Sequence, residues 1–369
     1  MEDPRVDKLA QILVDYSTAV QPGDKVLING TPLAEPLLKA VYTKVLQAGG
    51  HPLLLPSLPG TDELFYQYAD DEQLRHIPEP TRLIIETYDV RISVRGAANT
   101  KALSNVDPAR MVLRNQAQTE LMKTFMERSA SGALRWVGTL FPTNAYAQDA
   151  EMSLSEYEDF VYGACMPNLD DPVGYWQEFS IWQQRIVDWL KGKEHVHIVG
   201  EGTDLQLSIA GRTFINSDGK HNMPSGEVFT GPVAKSVEGH VTFSYPAIHQ
   251  GREVTNVQLW FEEGRVTRAS ADKNEEFLLK TLDTDEGARY LGEFAIGTNE
   301  GITQFTGQIL FDEKINGSFH VALGAGYPET GSENESAIHW DMICDLRRGG
   351  KIWVDGELLY EDGRFVIDF

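Results

Sequence analysis

Residues 311–345 read FDEKINGSFHVALGAGYPETGSENESAIHWDMICD and contain two short segments in which apolar and polar side chains alternate. In the second segment, residues 337–344, the apolar positions are Ile338, Trp340 and Met342. His339 and Asp341 occupy the positions between them. Successive side chains of a β-strand point to opposite faces, so this imidazole and this carboxylate project together while the apolar face packs. The segment therefore predicts a half-buried strand with one chemically active face.

The earlier segment has the same pattern. Phe319, Val321 and Leu323 alternate with His320 and Ala322. Two strands that each place a histidine opposite the apolar side chains, with carboxylates nearby, are typical of a divalent metal site. Imidazole combined with carboxylate suits zinc, manganese, cobalt or iron better than calcium, which prefers oxygen ligands. The alternative is two polar strand positions on a solvated face, and spacing alone does not decide between them.

Length and charge limit the classes of function. The chain has 369 residues, of which 41% are hydrophobic and 24% charged, as in an ordinary globular protein of two or three domains. The formal net charge of −23 is strongly acidic. Nucleic acids and anionic membrane surfaces bind clustered lysine and arginine, so we expect neither as a partner.

The sequence favours a cytoplasmic protein. The first residues, MEDPRVDKLAQ, include acids where a signal peptide has a basic region, and no apolar core follows. No segment approaches the roughly 18 apolar residues of a membrane span. The two cysteines, Cys165 and Cys344, are too far apart to indicate a disulfide framework or a zinc knuckle.

The first half of the chain alternates between predicted helices and short strands. The predicted helices are residues 6–16 and 34–48, and the predicted strands are residues 25–29, 51–55, 82–86 and 136–140. This alternation predicts an α/β domain with a mainly parallel sheet. Gly30 follows the first strand, but NGTPLAEP lacks the glycine pattern of a dinucleotide site and the lysine of a P-loop, so we expect no nucleotide there.

Two further helices, residues 154–166 and 173–191, are predicted to bridge the halves. The second is rich in tryptophan at spacings typical of core packing. Gly192 and Lys193 follow it and mark the predicted boundary. We therefore predict an N-terminal α/β domain at 1–192, including the bridging helices, and a C-terminal metal-binding catalytic domain at 193–369.

The second half is predicted to be an α+β domain with a largely antiparallel sheet. Residues 254–261 and 265–271 flank Glu262-Glu263-Gly264 and predict a hairpin. Residues 274–282 and 285–291 are predicted to be helical. The final segments, residues 352–354, 358–360 and 365–367, are separated by Asp-Gly turns and predict a meander.

Three glutamates of this half lie at the edges of apolar segments and not in a helical charge stripe. Glu227 lies in a turn before a strand, Glu293 precedes an apolar strand, and Glu313 follows the apolar segment ending at Phe311. Each alone is typical of an exposed or capping acid. Their occurrence together with two histidines and Asp341 in one domain favours a common site.

Five segments, NMPSGEVFTGP, YLGEFAIGTN, LFDEKI, HVALGAGYPE and HWDMI, occur in this order. They closely resemble the signature segments of the aminopeptidase T family of metallopeptidases, which includes aminopeptidases S and II, and the resemblance covers essentially the whole chain. It implies a two-domain fold, a homodimer and a catalytic tyrosine at Tyr327. It implies metal ligands at Glu227, Glu293, Glu313, His320, His339 and Asp341. The segment between Glu313 and His320 is longer than in the better-known members.

The resemblance also implies a mechanism. Two divalent ions (zinc, cobalt, manganese or magnesium) share Glu293 and activate a hydroxide, which releases N-terminal residues, hydrophobic or broad in range, from short peptides. Tyr327 donates a hydrogen bond to the developing oxyanion. A carboxylate-rich site also attracts the free α-ammonium group of such a substrate.

Two alternatives stay open at this point. A ring-cleaving dioxygenase of related fold needs a single iron, for which His320, His339 and Asp341 suffice. The three glutamates are redundant for one iron and required for two metals, so metal stoichiometry separates these functions. The other alternative is a non-catalytic metal-binding protein.

Overall fold

The computed structural model describes residues 3–165 and 170–367. The chain divides into two compact units: Met1–Gln177 with Gly219–Pro224, and Glu178–Asp218 with Ser225–Phe369. These units differ from the predicted domains, 1–192 and 193–369, in the placement of residues 178–192 and of Gly219–Pro224. The extent of the folding domains stays a prediction.

The first unit is built on a parallel sheet. Its strands, numbered along the chain, are β1 (Lys25–Gly30), β2 (His51–Pro56), β3 (Val90–Arg95), β4 (Arg135–Leu140) and β8 (Asn222–Met223). Helices α1 to α8 are Pro4–Gln11, Glu35–Gln47, Thr61–Tyr68, Asp71–Arg75, Glu79–Thr87, Pro108–Ala130, Asn144–Asp149 and Leu154–Cys165. Helix α9, Pro172–Leu190, has its first residues in this unit and the rest, from Glu178, in the second. The strand order is β2-β1-β3-β4-β8, with every pair parallel. The predicted parallel α/β sheet is confirmed.

One strand prediction was wrong. Residues 82–86 lie in helix α5, which has a proline in its first turn and buries Ile85. The third strand is β3, in which buried and partly exposed residues alternate. The segment RLIIE is too short for its periodicity to distinguish a strand from a helix, and the flanking proline was the better signal. Residue 166, the last of one predicted helix, lies outside the described residues.

The second unit is antiparallel. Its first strands are β5 (His195–Gly200), β6 (Thr203–Ser208), β7 (Ile215–Ser217), β9 (Glu227–Thr230), β10 (Glu238–Thr242), β11 (Ala247–His249), β12 (Arg252–Val254), β13 (Gln258–Glu262) and β14 (Arg265–Ser270). After α10 (Glu275–Leu282) come β15 (Leu291–Gly297), α11 (Ile309–Asp312), β16 (Ser318–Gly324), β17 (His339–Asp345), β18 (Lys351–Val354), β19 (Glu357–Glu361) and β20 (Arg364–Phe365). The predicted hairpin (β13–β14) and meander (β18–β20) are present.

The strands of this unit form three sheets. An eight-stranded sheet has the order β14-β13-β10-β6-β5-β18-β19-β20, a five-stranded sheet has the order β17-β16-β15-β9-β7, and β11 pairs with β12. Residues 285–291, predicted as a helix, form only a short 3-10 turn at Gly287–Arg289 before β15 begins. The α+β prediction with a largely antiparallel sheet is confirmed.

One apolar core joins the two large sheets of the second unit. Its members from the five-stranded sheet include Phe294, Ile296, Phe319, Val321, Leu323, Trp340 and Met342. These side chains occupy alternate positions of β15, β16 and β17, so the other face of the same strands is left for polar groups. Burying each such side chain contributes about 1.5–3 kcal/mol, which fixes the strands that carry the candidate site. None of the helices in the described ranges has the length and apolarity needed to cross a membrane.

Candidate metal centre

Four adjacent strands of the five-stranded sheet present the candidate ligands on one face. Glu227 begins β9, Glu293 lies in β15, His320 in β16, and His339 and Asp341 in β17. Most of their cross-strand partners are alanine or glycine: Glu227 is opposite Gly297, Glu293 and Asp341 are opposite Ala322, His320 is opposite Ala295, and His339 is opposite Gly324. These small residues leave room between the strands for the polar side chains to converge.

The side chains form two groups that could each hold a metal ion. Glu227, Glu293 and His320 form the first group, and Glu293, His339 and Asp341 form the second; within each group the ligand atoms lie within 4.8 Å of one another. Oε1 of Glu293 is 3.3 Å from Nε2 of His320, and Oε2 is 3.4 Å from Nε2 of His339. Glu293 therefore belongs to both groups and directs one oxygen to each imidazole.

Backbone carbonyls orient both imidazoles. Nδ1 of His320 lies 2.9 Å from the carbonyl oxygen of Glu313, and Nδ1 of His339 lies 2.7 Å from that of Ala325. A carbonyl only accepts, so each Nδ1 carries the proton and donates it. Nε2 of each ring then faces the carboxylates, as is usual for histidines that bind metals.

The burial of Glu227 indicates that a cation belongs in the first group. Its carboxylate is almost fully buried, and among the described residues Oε2 has no hydrogen-bond donor. Nε2 of His320 lies 3.6 Å from this oxygen. An unsatisfied buried carboxylate oxygen destabilises a protein strongly, and a divalent ion would satisfy it. The residues present thus fit a metal with nitrogen and oxygen ligands.

The pKa shifts in the centre also indicate that these carboxylates need a positive charge beside them. Burial raises the pKa of Glu227 and Glu293. Burial alone would lower the pKa of both imidazoles, but Glu293 raises that of His320 to about 9, and Asp341 raises that of His339 to about 10. Against the effect of burial, His339 holds the pKa of Asp341 down at about 2. Without a metal, protons on the imidazoles balance part of the carboxylate charge.

Glu313, the sixth predicted ligand, lies in neither group. Its carboxylate contacts the ammonium group of Lys314, whose side chain is fully buried. The preceding residue, Asp312, is also buried and accepts hydrogen bonds from the backbone N–H and the hydroxyl of Thr306, at 2.7 and 2.9 Å. The structure therefore brings five of the six predicted ligands together and places Glu313 beside them in an ion pair.

Tyr327 lies at the edge of the centre. Its ring centroid is 5.3 Å from that of His339 and 5.5 Å from that of Phe229, with an edge-on arrangement in both cases. The tyrosine is 36% exposed, so it borders both the metal ligands and the solvent. Burial of the phenol, followed by repulsion from Glu293 and Asp341, raises its pKa further above the ordinary value, at which the hydroxyl is already protonated at neutral pH.

Two residues of the site were not predicted. Lys314 follows Glu313 directly in LFDEKI, and a lysine next to two acids between the apolar residues Phe311 and Ile315 was the available signal. Phe229 lies two positions after Glu227 in β9, so the period of a strand places both on one face. Neither signal is specific without the register of the neighbouring strands.

The sequence matches known proteins along its length. The family described as thermophilic metalloprotease (M29) matches residues 2–365. Aminopeptidase T of Thermus aquaticus is 31% identical over 75% of this chain and 74% of that protein. Aminopeptidase 2 of Geobacillus stearothermophilus is 26% identical over 99% of this chain and 98% of that protein.

Two solved structures share the fold. Wild-type AmpT from Thermus thermophilus superposes with a TM-score of 0.85 at 23% identity, covering 98% of this chain and 99% of that one. The 2,5-dihydroxypyridine dioxygenase from Pseudomonas putida superposes with a TM-score of 0.60 at 12% identity, covering 98% and 97%. These similarities extend over both units of the chain.

Proposed function

This chain belongs to the M29 family of thermophilic metalloproteases, and from that premise we propose that it is an aminopeptidase that releases N-terminal residues from short peptides with two divalent metal ions. The observation that carries the proposal is the position of Glu293, which is a member of both ligand groups and directs one oxygen to each imidazole. A carboxylate placed in this way suits a pair of ions that share one ligand.

In this proposal Glu227, Glu293 and His320 hold one ion, and Glu293, His339 and Asp341 hold the other. Glu313 is left out of both groups here because its carboxylate is paired with Lys314, and its role as a sixth ligand stays a prediction. When bound, the two ions would supply a Lewis acid for the peptide carbonyl and lower the pKa of a water molecule. Zinc, cobalt, manganese and magnesium are the candidate ions.

Tyr327 is proposed as the catalytic residue. Its phenol is protonated at neutral pH, as an ordinary tyrosine is, and burial and the nearby carboxylates raise its pKa further. The hydroxyl can therefore donate a hydrogen bond to the carbonyl oxygen of the substrate as negative charge develops there. One such donor lowers the barrier by about 3 kcal/mol.

The surroundings of the centre support an N-terminal substrate. A free α-ammonium group is attracted by the carboxylates of Glu227, Glu293 and Asp341, and an internal peptide bond lacks this cation. The half-buried ring of Phe229 lies beside Tyr327 and offers an apolar surface to the first side chain. We therefore propose that the preferred first residue is hydrophobic, within a broad range.

The proposal is tested with metal-stripped protein reloaded with each of the four metals. We expect hydrolysis of leucyl and phenylalanyl peptides and nitroanilides with two ions bound per chain, and no hydrolysis of N-acetylated peptides. Glu293→Gln should abolish activity and reduce metal content. Asp345→Asn is the matched control, because Asp345 lies on β17 outside both groups. Full activity with one ion, or equal cleavage of acetylated peptides, would contradict the proposal.

The dioxygenase alternative is not favoured. The likeness to the dihydroxypyridine dioxygenase is at 12% identity and concerns the fold alone. A single iron held by His320, His339 and Asp341 would leave Glu293, which lies between the two imidazoles, without a role. Membership in a metalloprotease family also speaks against a non-catalytic metal-binding protein.

We further propose a cytoplasmic homodimer whose assembly limits the site to short, unfolded peptides. The family resemblance supports the dimer, and dimers are the commonest soluble oligomers. Cys165 and Cys344 are free and buried, which suits a reducing compartment. Light scattering at micromolar concentration should give twice the mass of one chain, and cell fractionation should place the protein with cytoplasmic markers. The mass of a single chain, or efficient trimming of folded proteins, would contradict the proposed assembly.

A further inference from the structure

Lys314 brings into the metal centre a positive charge that belongs to neither ligand group. Its side chain is fully buried; its Nζ contacts the carboxylate of Glu313 and lies 3.6 Å from Oε1 of Glu227. Removing an ammonium group from water is strongly unfavourable unless carboxylates compensate. The position of this charge is therefore tied to the two glutamates.

Backbone hydrogen bonds to α11 and to the segment after β15 fix the backbone around Lys314. Its N–H donates to the carbonyl of Phe311 at 2.9 Å, and its carbonyl accepts from the N–H of Asn299 at 3.1 Å. Gly297, at the end of β15, approaches so closely that a Cβ there would lie 2.2 Å from the carbonyl oxygen of Ile315. The turn that carries Lys314 is thus held against the strand that carries Glu293.

Lys314 also gives the two carboxylate oxygens of Glu227 different surroundings. Oε1 faces the ammonium group, whereas Oε2 faces Nε2 of His320 at 3.6 Å and has no hydrogen-bond donor among the described residues. One oxygen is therefore held by the lysine, and the other is left for an ion. Glu313 is engaged by the same ammonium group and lies outside both ligand groups.

The close contacts of Lys314 fall on the first group, although its charge also acts on Asp341 of the second group. Within the described part of the chain, its ion pairs are with Glu227 and Glu313 and with no ligand of the second group. Two cations repel each other strongly in a buried site, where water screens them little. An ion held by Glu227 is therefore opposed by Lys314 more than an ion held by His339 and Asp341.

We propose that Lys314 is a positioning residue that makes the two metal sites unequal. It withholds Glu313 from the metals, turns Oε2 of Glu227 toward the first ion, and weakens binding in the first group relative to the second. The inference rests on the two ligand groups of the proposed function. It predicts stepwise loading, with the Glu293–His339–Asp341 group filled first.

The test compares wild-type protein with Lys314→Met and Lys314→Arg, each stripped of metal and titrated with cobalt by calorimetry and by visible absorption. In the wild type we expect two steps whose Kd values differ by about tenfold or more. Lys314→Met should tighten the weak step by about tenfold or more and leave the tight step within about threefold. Lys314→Arg keeps the charge and should keep the separation.

The double variant Glu313→Gln/Lys314→Met removes both charges of the ion pair. It is titrated in the same way and replaces Lys314→Met if that variant does not fold. Tightening in both variants supports repulsion by the ammonium group, and tightening in Lys314→Met alone supports recruitment of Glu313. Weaker or unchanged binding in the weak step of both variants overturns the inference.

The peptide assay is independent of this result. A wild type that binds two ions stepwise but hydrolyses no peptide overturns the proposed function and leaves the role of Lys314 unaffected.

Discussion

At the scale of single residues, the centre depends on groups that serve more than one neighbour. Glu293 directs one oxygen to each imidazole, and Glu227 directs one to His320 and one to Lys314. Each imidazole is held through Nδ1 by a backbone carbonyl, which leaves Nε2 for a metal. Removing any of these side chains therefore changes the surroundings of several others, and effects on activity will not be additive.

The role of Tyr327 can be tested with a substitution that changes only its hydroxyl group. Tyr327→Phe keeps the ring that lies against His339 and Phe229 and removes only the hydroxyl. We expect normal folding and metal content with turnover reduced about 100-fold or more, as for loss of one oxyanion donor. Tyr245→Phe is the control, because that hydroxyl bonds to Asp345 outside both ligand groups. Steady-state kinetics and metal analysis make the comparison, and unchanged turnover would assign Tyr327 to packing alone.

At the scale of elements, the centre is a property of four strands with one apolar and one polar face. Alternation in residues 319–323 and 338–342 was visible in the sequence, so the strands and the side of each histidine were predictable. The register in which these strands pair was not predictable, because it depends on contacts between segments far apart in the chain. The ion pair of Glu313 with Lys314 depends on burial and register together, so the sequence did not show it, and the role of Glu313 as a ligand stays a prediction.

Two secondary-structure predictions were wrong. Residues 82–86 were assigned to a strand on apolar content alone, although the segment is helical. Residues 285–291 are predicted as a helix, but the structure has a short 3-10 turn at Gly287–Arg289, and at Leu291 pairing with Leu323 of β16 outweighs local propensity. Long amphipathic segments such as α2 and α9 were located correctly, since their periodicity extends over several turns.

The small residues of β16 give a prediction at this scale. Ala322 is buried opposite both Glu293 and Asp341, so a larger side chain there fills the space in which the ligands converge. Ala322→Val should reduce metal affinity about tenfold and destabilise the fold by about 1–3 kcal/mol. Val321→Leu enlarges the core face of the same strand and should destabilise similarly without loss of metal. Metal content after dialysis and denaturant unfolding separate the two, and equal metal retention would refute the spatial argument.

At the scale of the whole molecule, the chain combines a strongly acidic composition with a buried acidic centre. There are 55 acidic and 32 basic residues in the sequence. Most of the acids are solvated, but Glu227 and Glu293 are buried and Glu313 and Asp341 are partly buried, with one lysine and two histidines as the nearby cations. The stability of the metal-free protein should therefore depend on the protonation of those histidines.

The expected dependence on pH follows from the sign of each shift. Although burial opposes it, the carboxylates raise the pKa of His320 to about 9 and that of His339 to about 10 in the folded, metal-free protein. In the unfolded chain a histidine titrates near about 6.5. The stabilisation is therefore fully present below about pH 6.5 and is lost as the pH rises toward 10. The raised pKa values of Glu227 and Glu293 act in the same direction.

We therefore expect the free energy of unfolding of the metal-free protein to fall by about 3–6 kcal/mol between pH 6.5 and 10. The metal-loaded protein should show little of this slope, because its imidazoles are already neutral and the ions balance the carboxylates. Denaturant unfolding at a series of pH values, with and without metal, measures both curves. His339→Gln should reduce the slope of the metal-free protein, whereas His195→Gln, a substitution outside both ligand groups, should leave it unchanged. Equal slopes with and without metal would show that these histidines do not exchange protons for metal ions.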